Sequence, residues 1–214
     1  MRRLALAAIP VLTLLLVAPS AAGAHVRPGK HASCPAVKHA LVGDAQAEVY
    51  EAVGSVEREM FACAYASGHA YPLGPKPEPG TPSGGGGVEK VTLSGSVVGY
   101  EEFVIRTEVS SRWTVIVRNL RTGRVVHNVP SGPSNSSDEV GEGFVTSLVL
   151  KSDGAVAWIV AGGLARDGNQ VHIVDASGSR IVASGTDVEQ SSLALAGSTL
   201  YWTQGGKPET AVLN

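Results

Sequence analysis

Val115-Ile116-Val117-Arg118-Asn119-Leu120-Arg121-Thr122-Gly123-Arg124-Val125-Val126 is the stretch on which the fold of this chain turns. β-Branched residues fill both flanks, and the Arg-Thr-Gly between them includes a residue that tolerates a positive φ. The stretch therefore reads as a tight antiparallel hairpin. The same pattern occurs 55 residues later, where Val171 to Asp175 and Ile181 to Ala183 flank Ala176-Ser177-Gly178. It also occurs 55 residues earlier, where Phe61 to Tyr65 and Tyr71 to Leu73 flank Ala66-Ser67-Gly68. Turn glycines at an even interval are the mark of a repeated supersecondary unit.

A second, more variable hairpin precedes each of these. It has a leucine, a polar turn, and a small apolar stretch that ends in an aromatic residue. It runs from Leu41 through Gly43-Asp44 to Tyr50, from Leu93 through Ser94-Gly95-Ser96 to Tyr100, and from Leu150 through Asp153-Gly154 to Trp158. A fourth copy runs from Leu195 through Gly197-Ser198 to Trp202, and the sequence given ends at Asn214, inside the third strand of that copy. The expected fold is therefore all-β: four propeller-like units of short antiparallel strands over residues 37–214, the last unit incomplete. An open, curved β-sandwich is the alternative. Only Ala45 to Phe61 has a helix-like pattern, and Gly54 interrupts it. Low charge in the strands implies that the sheets are covered on both faces, and recurrence of Tyr50, Tyr100, Trp158 and Trp202 at one internal position implies core packing.

The hairpin at 115–126 resembles the third-to-fourth-strand hairpin of WD-repeat and Tol-Pal-type propellers, and Val171 to Val182 is similar. No Gly-His and Trp-Asp signature accompanies it. The whole chain also resembles a group of small secreted actinobacterial proteins of unknown function, a resemblance that implies no activity.

The N-terminus has the three parts of a secretory signal: Arg2-Arg3, an apolar run from Leu4 to Val17, and Ala22-Gly23-Ala24 as a small-x-small cleavage site. A run of this length is short for a membrane span, which takes roughly 20 residues. Cleavage near Ala24 predicts a secreted or envelope-located mature chain of 190 residues with no stable membrane span, leaving 15 basic against 19 acidic side chains. A mildly acidic chain without basic clusters gives no reason to expect nucleic acid as a partner. In an oxidising compartment Cys34 and Cys63, the only cysteines, are expected to form a disulfide. Residues 25–36 form an arm ahead of the repeats, and residues 25–35 are a candidate for the missing strand of the last unit, although Pro28 and Pro35 suit only an edge. Residues 72–87, with five prolines and six glycines, read as a loop that adds nothing to a core. Ser131 to Gly143 and Gly162 to Asn169 read as further polar loops, the first containing the acceptor-like Asn135-Ser136-Ser137.

Chemistry-bearing residues are few. His25 would become the mature N-terminus, where an amine and its own imidazole can chelate copper, but nothing in the sequence brings His31, His39, His69, His127 or His172 to it. No Gly-x-Ser-x-Gly elbow occurs. Glu101-Glu102 and Asp138-Glu139 point to opposite faces if they lie on strands, and they read as solvated charge. Asp153-Gly154 and Asp167-Gly168-Asn169 lack the remaining ligands of a calcium loop and read as turns. The sequence thus assigns no catalytic, cofactor-binding or metal-binding residue. The expected function is a secreted, non-catalytic module that binds an unidentified protein or carbohydrate. The alternative is an extracellular hydrolase or lyase acting on carbohydrate or peptide.

Overall fold

The structure is a computed structural model that describes residues 34–35, 40–53, 58–77, 85–107, 110–132, 143–162 and 168–214. The signal segment and His25, His31, His39, Asn135, Asp138-Glu139 and Asp167 lie outside the described residues.

Among the described residues, fifteen strands form four separate antiparallel meanders. The first sheet is β1 (Ala40–Gly43), β2 (Ala47–Val53), β3 (Arg58–Ala64) and β4 (Ala70–Pro75). The second is β5 (Gly86–Ser94), β6 (Val97–Thr107), β7 (Ser110–Asn119) and β8 (Val125–Pro130). The third is β9 (Gly143–Leu150), β10 (Val156–Gly162), β11 (Asn169–Asp175) and β12 (Gly178–Gly185). The fourth has three strands, β13 (Ala194–Ala196), β14 (Thr199–Gln204) and β15 (Lys207–Val212). Each sheet pairs its strands in chain order, so the fold is the repeat of four propeller-like units read from the sequence, and the two-sheet sandwich is excluded. The evenly spaced turn glycines all adopt positive φ: 64° at Gly68, 73° at Gly123 and 102° at Gly178.

Three apolar seams join the sheets. Val49, Ala62 and Leu73 pack against Val98, Tyr100 and Ile116 between the first and second sheets. Val97, Val115 and Val117 meet Val145, Trp158 and Val174 between the second and third. Ile159, Val171 and Ile173 meet Leu200, Trp202 and Leu213 between the third and fourth. The first strands of successive sheets are neighbours, with β5 beside both β1 and β9, and β9 beside β13. Tyr50, Tyr100, Trp158 and Trp202 are all buried, as their recurrence predicts.

Several expectations are corrected. Ala45 to Phe61 is not helical, because its apolar residues alternate and pair as β2 with β3, Val49 opposite Ala62. The proline- and glycine-rich stretch is not wholly a loop. Pro72 to Pro75 complete β4, Leu73 is buried, and Gly86 and Gly87 open β5. Pro72 is tolerated because β4 is an outer strand, where a missing N–H can face away from the ladder. Gly86 is needed because a Cβ there would lie 2.2 Å from the Phe103 carbonyl oxygen. The polar loops are shorter than expected, since Ser131 is fully buried, Gly143 opens β9, Gly162 closes β10 and Asn169 opens β11. The fourth sheet is not covered on both faces: Ala194, Tyr201, Thr210 and Val212 are exposed on the side away from the third sheet.

The cysteines form a disulfide, with Cα atoms 5.9 Å apart. Cys63 lies on the face of β3 opposite Ala62 and Ala64, which pack toward the second sheet. The disulfide thus fastens Cys34 to the outward face of the first sheet. Neither Cys34 nor Pro35 lies in a strand, and among the described residues the fourth sheet gains no fourth strand. Residues 25–33 lie outside the described residues.

Candidate functional site

The two ends of the stacked sheets differ. At one end, tight turns join the first strand of each sheet to the second, and the third to the fourth. Hydrogen bonds run between units there. The Asp44 carboxylate accepts the N–H of Gly95 at 2.7 Å, and the Ser67 hydroxyl donates to the Leu120 carbonyl at 3.3 Å. Lys151 donates to the Leu213 carbonyl at 3.0 Å, tying the third sheet to the fourth. The longer connections, β4–β5, β8–β9, β10–β11 and β12–β13, all leave from the opposite end.

Beneath that loop end, in the seam between the second and third sheets, lies a group of buried polar side chains: Glu101 on β6, Ser131 just past β8, and Gln170 and His172 on β11. One Glu101 carboxylate oxygen, Oε1, accepts the backbone N–H of Val145 across the seam at 2.9 Å. Oε2 has no partner. Burial pushes the carboxyl up to about 8, with the Glu89 charge adding to the rise, against the opposing effects of the Val145 N–H, the Ser131 hydroxyl and Lys90. Trp158 donates its indole N–H to the Ser131 carbonyl at 2.6 Å and stacks on His172 at 5.1 Å between ring centroids. His172 Nε2 is paired with Gln170 Oε1 at 3.0 Å, and burial pushes its imidazole down to about 4. Near neutral pH both groups are therefore held in their uncharged forms. Closer to the loop end, Phe103 stacks on the half-buried Trp113 at 4.8 Å.

Glu101 is thus not the solvated charge that the sequence suggests. Alternation on β6 does separate it from Glu102, which faces the first sheet near Gly74. Burial also raises the Glu102 carboxyl, against the Arg112 and Arg118 charges. The described histidines do not converge: His69 is exposed at a turn, His127 is half-buried on β8, and His172 sits in the seam. Among the described residues no group of three or more His, Cys, Asp or Glu side chains is placed to hold a metal ion. Nor is any helix there long and apolar enough to cross a membrane. Asp153 acts as a turn residue, its carboxylate accepting the Ala155 N–H at 3.0 Å. Sequence reasoning missed the seam group. The available signal was a charged residue, Glu101, at a position whose alternating neighbours Gly99 and Phe103 face inward.

No protein-family model matches the chain, and no curated protein matches it. Among solved structures, TolB from Acinetobacter baumannii is similar at 13% identity and a TM-score of 0.35. The match covers 80% of this chain and 41% of that one, so this chain spans less than half of TolB's length.

Proposed function

We propose that the chain is a secreted or envelope-located binding module, exported by a signal cut near Ala24, that engages a protein or carbohydrate through the loop end of its second and third units. The observation that carries this reading is the difference between the two ends. One is closed by tight turns with bonds between units, whereas the long connections leave from the other, the end nearer the Phe103–Trp113 stack. Binding residues gather on loops held by a rigid scaffold. The disulfide supports an oxidising location. Glu101 and His172, the ionisable groups that a hydrolase or lyase would draw on, are buried in the seam and closed off from a substrate in solvent, and this supports the module over an enzyme.

The test is co-sedimentation of the mature chain with insoluble peptidoglycan, chitin and cellulose, together with a soluble glycan array. Retention on at least one probe is expected. It should fall at least tenfold with Trp113→Ala at the loop end and stay unchanged with Arg121→Ala at the turn end. Retention on no probe, loss with Arg121→Ala alone, or release of new reducing ends from a retained polysaccharide overturns the reading.

A further inference from the structure

We propose that Glu101 is a protonation-controlled latch between the second and third units, closed when its carboxyl is neutral and loosened when it ionises. The geometry requires some such dependence. The side chain is wholly buried, paired across strands with Val115 and bonded to Val145, on the face of β6 that meets the apolar seam of the second and third sheets. It makes one bond across the seam, from the Val145 N–H on β9, the Ser131 hydroxyl also acts on the carboxyl, and among the described residues Oε2 has no hydrogen-bond partner. A neutral carboxyl leaves that oxygen at modest cost, but a carboxylate places a full charge in an apolar seam, and a charge so placed must be paired or hydrated. Among the described residues no cation forms an ion pair with it. Lys90 on β5 favours ionisation, but Glu89 beside it opposes ionisation more strongly. Ser131 offers one hydroxyl, and among the described residues the buried polar side chains that the third sheet presents to this seam are Gln170 and the uncharged His172. The way to hydrate the carboxylate is to part β6 from β9, which admits water next to Trp158 and under the loops. The latch belongs to the seam itself and stands whatever the loops bind.

Linkage gives the direction. The folded carboxyl is raised above its unfolded value of 4.5, so the folded state keeps a proton that the unfolded state has lost. The stabilisation is complete below that value and drains away as the pH rises to about 8. Above about pH 6.5 the unfolded form of His172 is no longer protonated, so between 6.5 and 8 Glu101 acts without it.

The experiment follows the mature chain and Glu101→Gln by urea denaturation from pH 5 to 9, and reads the protection factor of the Val145 amide by hydrogen exchange. The unfolding constant of the parent chain should rise by up to tenfold per pH unit between 6.5 and 8. Protection at Val145 should fall in step, and Glu101→Gln should lose both dependences. Should Glu101→Gln not fold, the side-chain carboxyl carbon of Glu101 in the parent chain decides by NMR, with a midpoint near 8 expected. A midpoint below 6, or the same 6.5-to-8 dependence in Glu101→Gln, overturns the proposal.

Discussion

The carboxylate of Asp175, at the end of β11, accepts the backbone N–H of Asn214, 39 positions further along the chain, at 2.9 Å. The same carboxylate, closed off from solvent, takes both guanidinium arms of Arg180 at 2.7 and 2.9 Å and the N–H of Ser177 at 2.8 Å. Arg180 also donates to the Val212 carbonyl at 3.0 Å. One buried anion therefore fastens the last strand of the fourth sheet to the β11–β12 hairpin. Asp175→Ala should cost about 3 kcal/mol, because it leaves four N–H donors without their acceptor. The bonds from Arg180, opposed by burial and aided by the Asn214 and Ser177 N–H groups, hold the carboxyl well below its ordinary 3.8. The contribution is therefore present above about pH 4 and is lost as the pH falls through the folded value. Urea midpoints of the parent chain and Asp175→Asn should differ most at pH 7 and converge toward pH 2.

The Cys34–Cys63 disulfide closes a separation of 29 residues. In the chain-entropy model such a loop stabilises by roughly 3–4 kcal/mol through the unfolded state. Cys34→Ser with Cys63→Ser should lower the urea midpoint accordingly without changing the far-ultraviolet spectrum of the folded chain. Intact mass should rise by about 2 Da on reduction of the parent chain, as two thiols replace one bond. No mass change would show free thiols.

Gly123 and Gly178 occupy the same turn position in two units but differ in their surroundings. A Cβ on Gly123, at φ 73°, would lie 2.7 Å from the Tyr71 ring of the neighbouring unit, whereas nothing lies within 4 Å of one on Gly178, at φ 102°. Both alanine variants carry the backbone cost of about 1 kcal/mol for positive φ. Gly123→Ala must in addition move Tyr71, over which Arg118 is held at 5.9 Å, and should lose a further 1–3 kcal/mol or so. Equal melting temperatures for the two variants would show that Tyr71 moves aside freely.

His172 makes the opposite contribution from Glu101 in the same seam. Burial holds its imidazole at about 4 against an unfolded value of 6.5, so the unfolded state takes up the proton first and stability falls as the pH drops from 6.5 to 4. Between 4.5 and 6.5 the two groups have slopes of opposite sign, and the parent chain should be nearly flat there. Glu101→Gln should uncover the histidine slope, up to tenfold in the unfolding constant per pH unit. His172→Gln should uncover the glutamate slope down to about pH 4.5. A parent chain that is steep in this window, or single variants as flat as the parent, would separate these residues from the pH response.

The units were legible in the sequence because turn chemistry is local. Gly68, Gly123 and Gly178 adopt the positive φ that their even spacing implies, and Tyr100, Trp158 and Trp202 are buried because each packs in the seam toward the preceding sheet, while Tyr50 is buried against Phe61 of its own sheet. The seam was not legible, because burial of Glu101 depends on which sheet lies opposite it, and alternation along β6 separates two faces without saying that both are covered. Leu73 and Gly86 were hidden for a related reason. A proline- and glycine-rich composition marks a loop only where no neighbouring backbone comes close, and Phe103 comes close to Gly86.

Among the described residues β15 is an edge strand of the fourth sheet, and that edge is blunted in a way that can be reversed. Gly205 and Gly206, both at positive φ, form a two-residue turn that sets Gln204 opposite Lys207. Counting from that closing pair by alternation, Lys207, Glu209 and Ala211 bond to β14, while Pro208, Thr210 and Val212 turn their backbone groups outward. Pro208 has no N–H to offer, the Val212 carbonyl is taken by Arg180, and Lys207 and Glu209 place charge along the strand. These are the devices that keep an edge from recruiting another strand. Pro208→Val restores an outward donor, and Arg180→Ala frees an outward acceptor. The double variant should therefore self-associate in a concentration-dependent way by light scattering, while each single variant does so less. A double variant that scatters like the parent at every concentration would show that charge on β15 alone protects the edge, and adding Lys207→Thr and Glu209→Thr would then be required to open it.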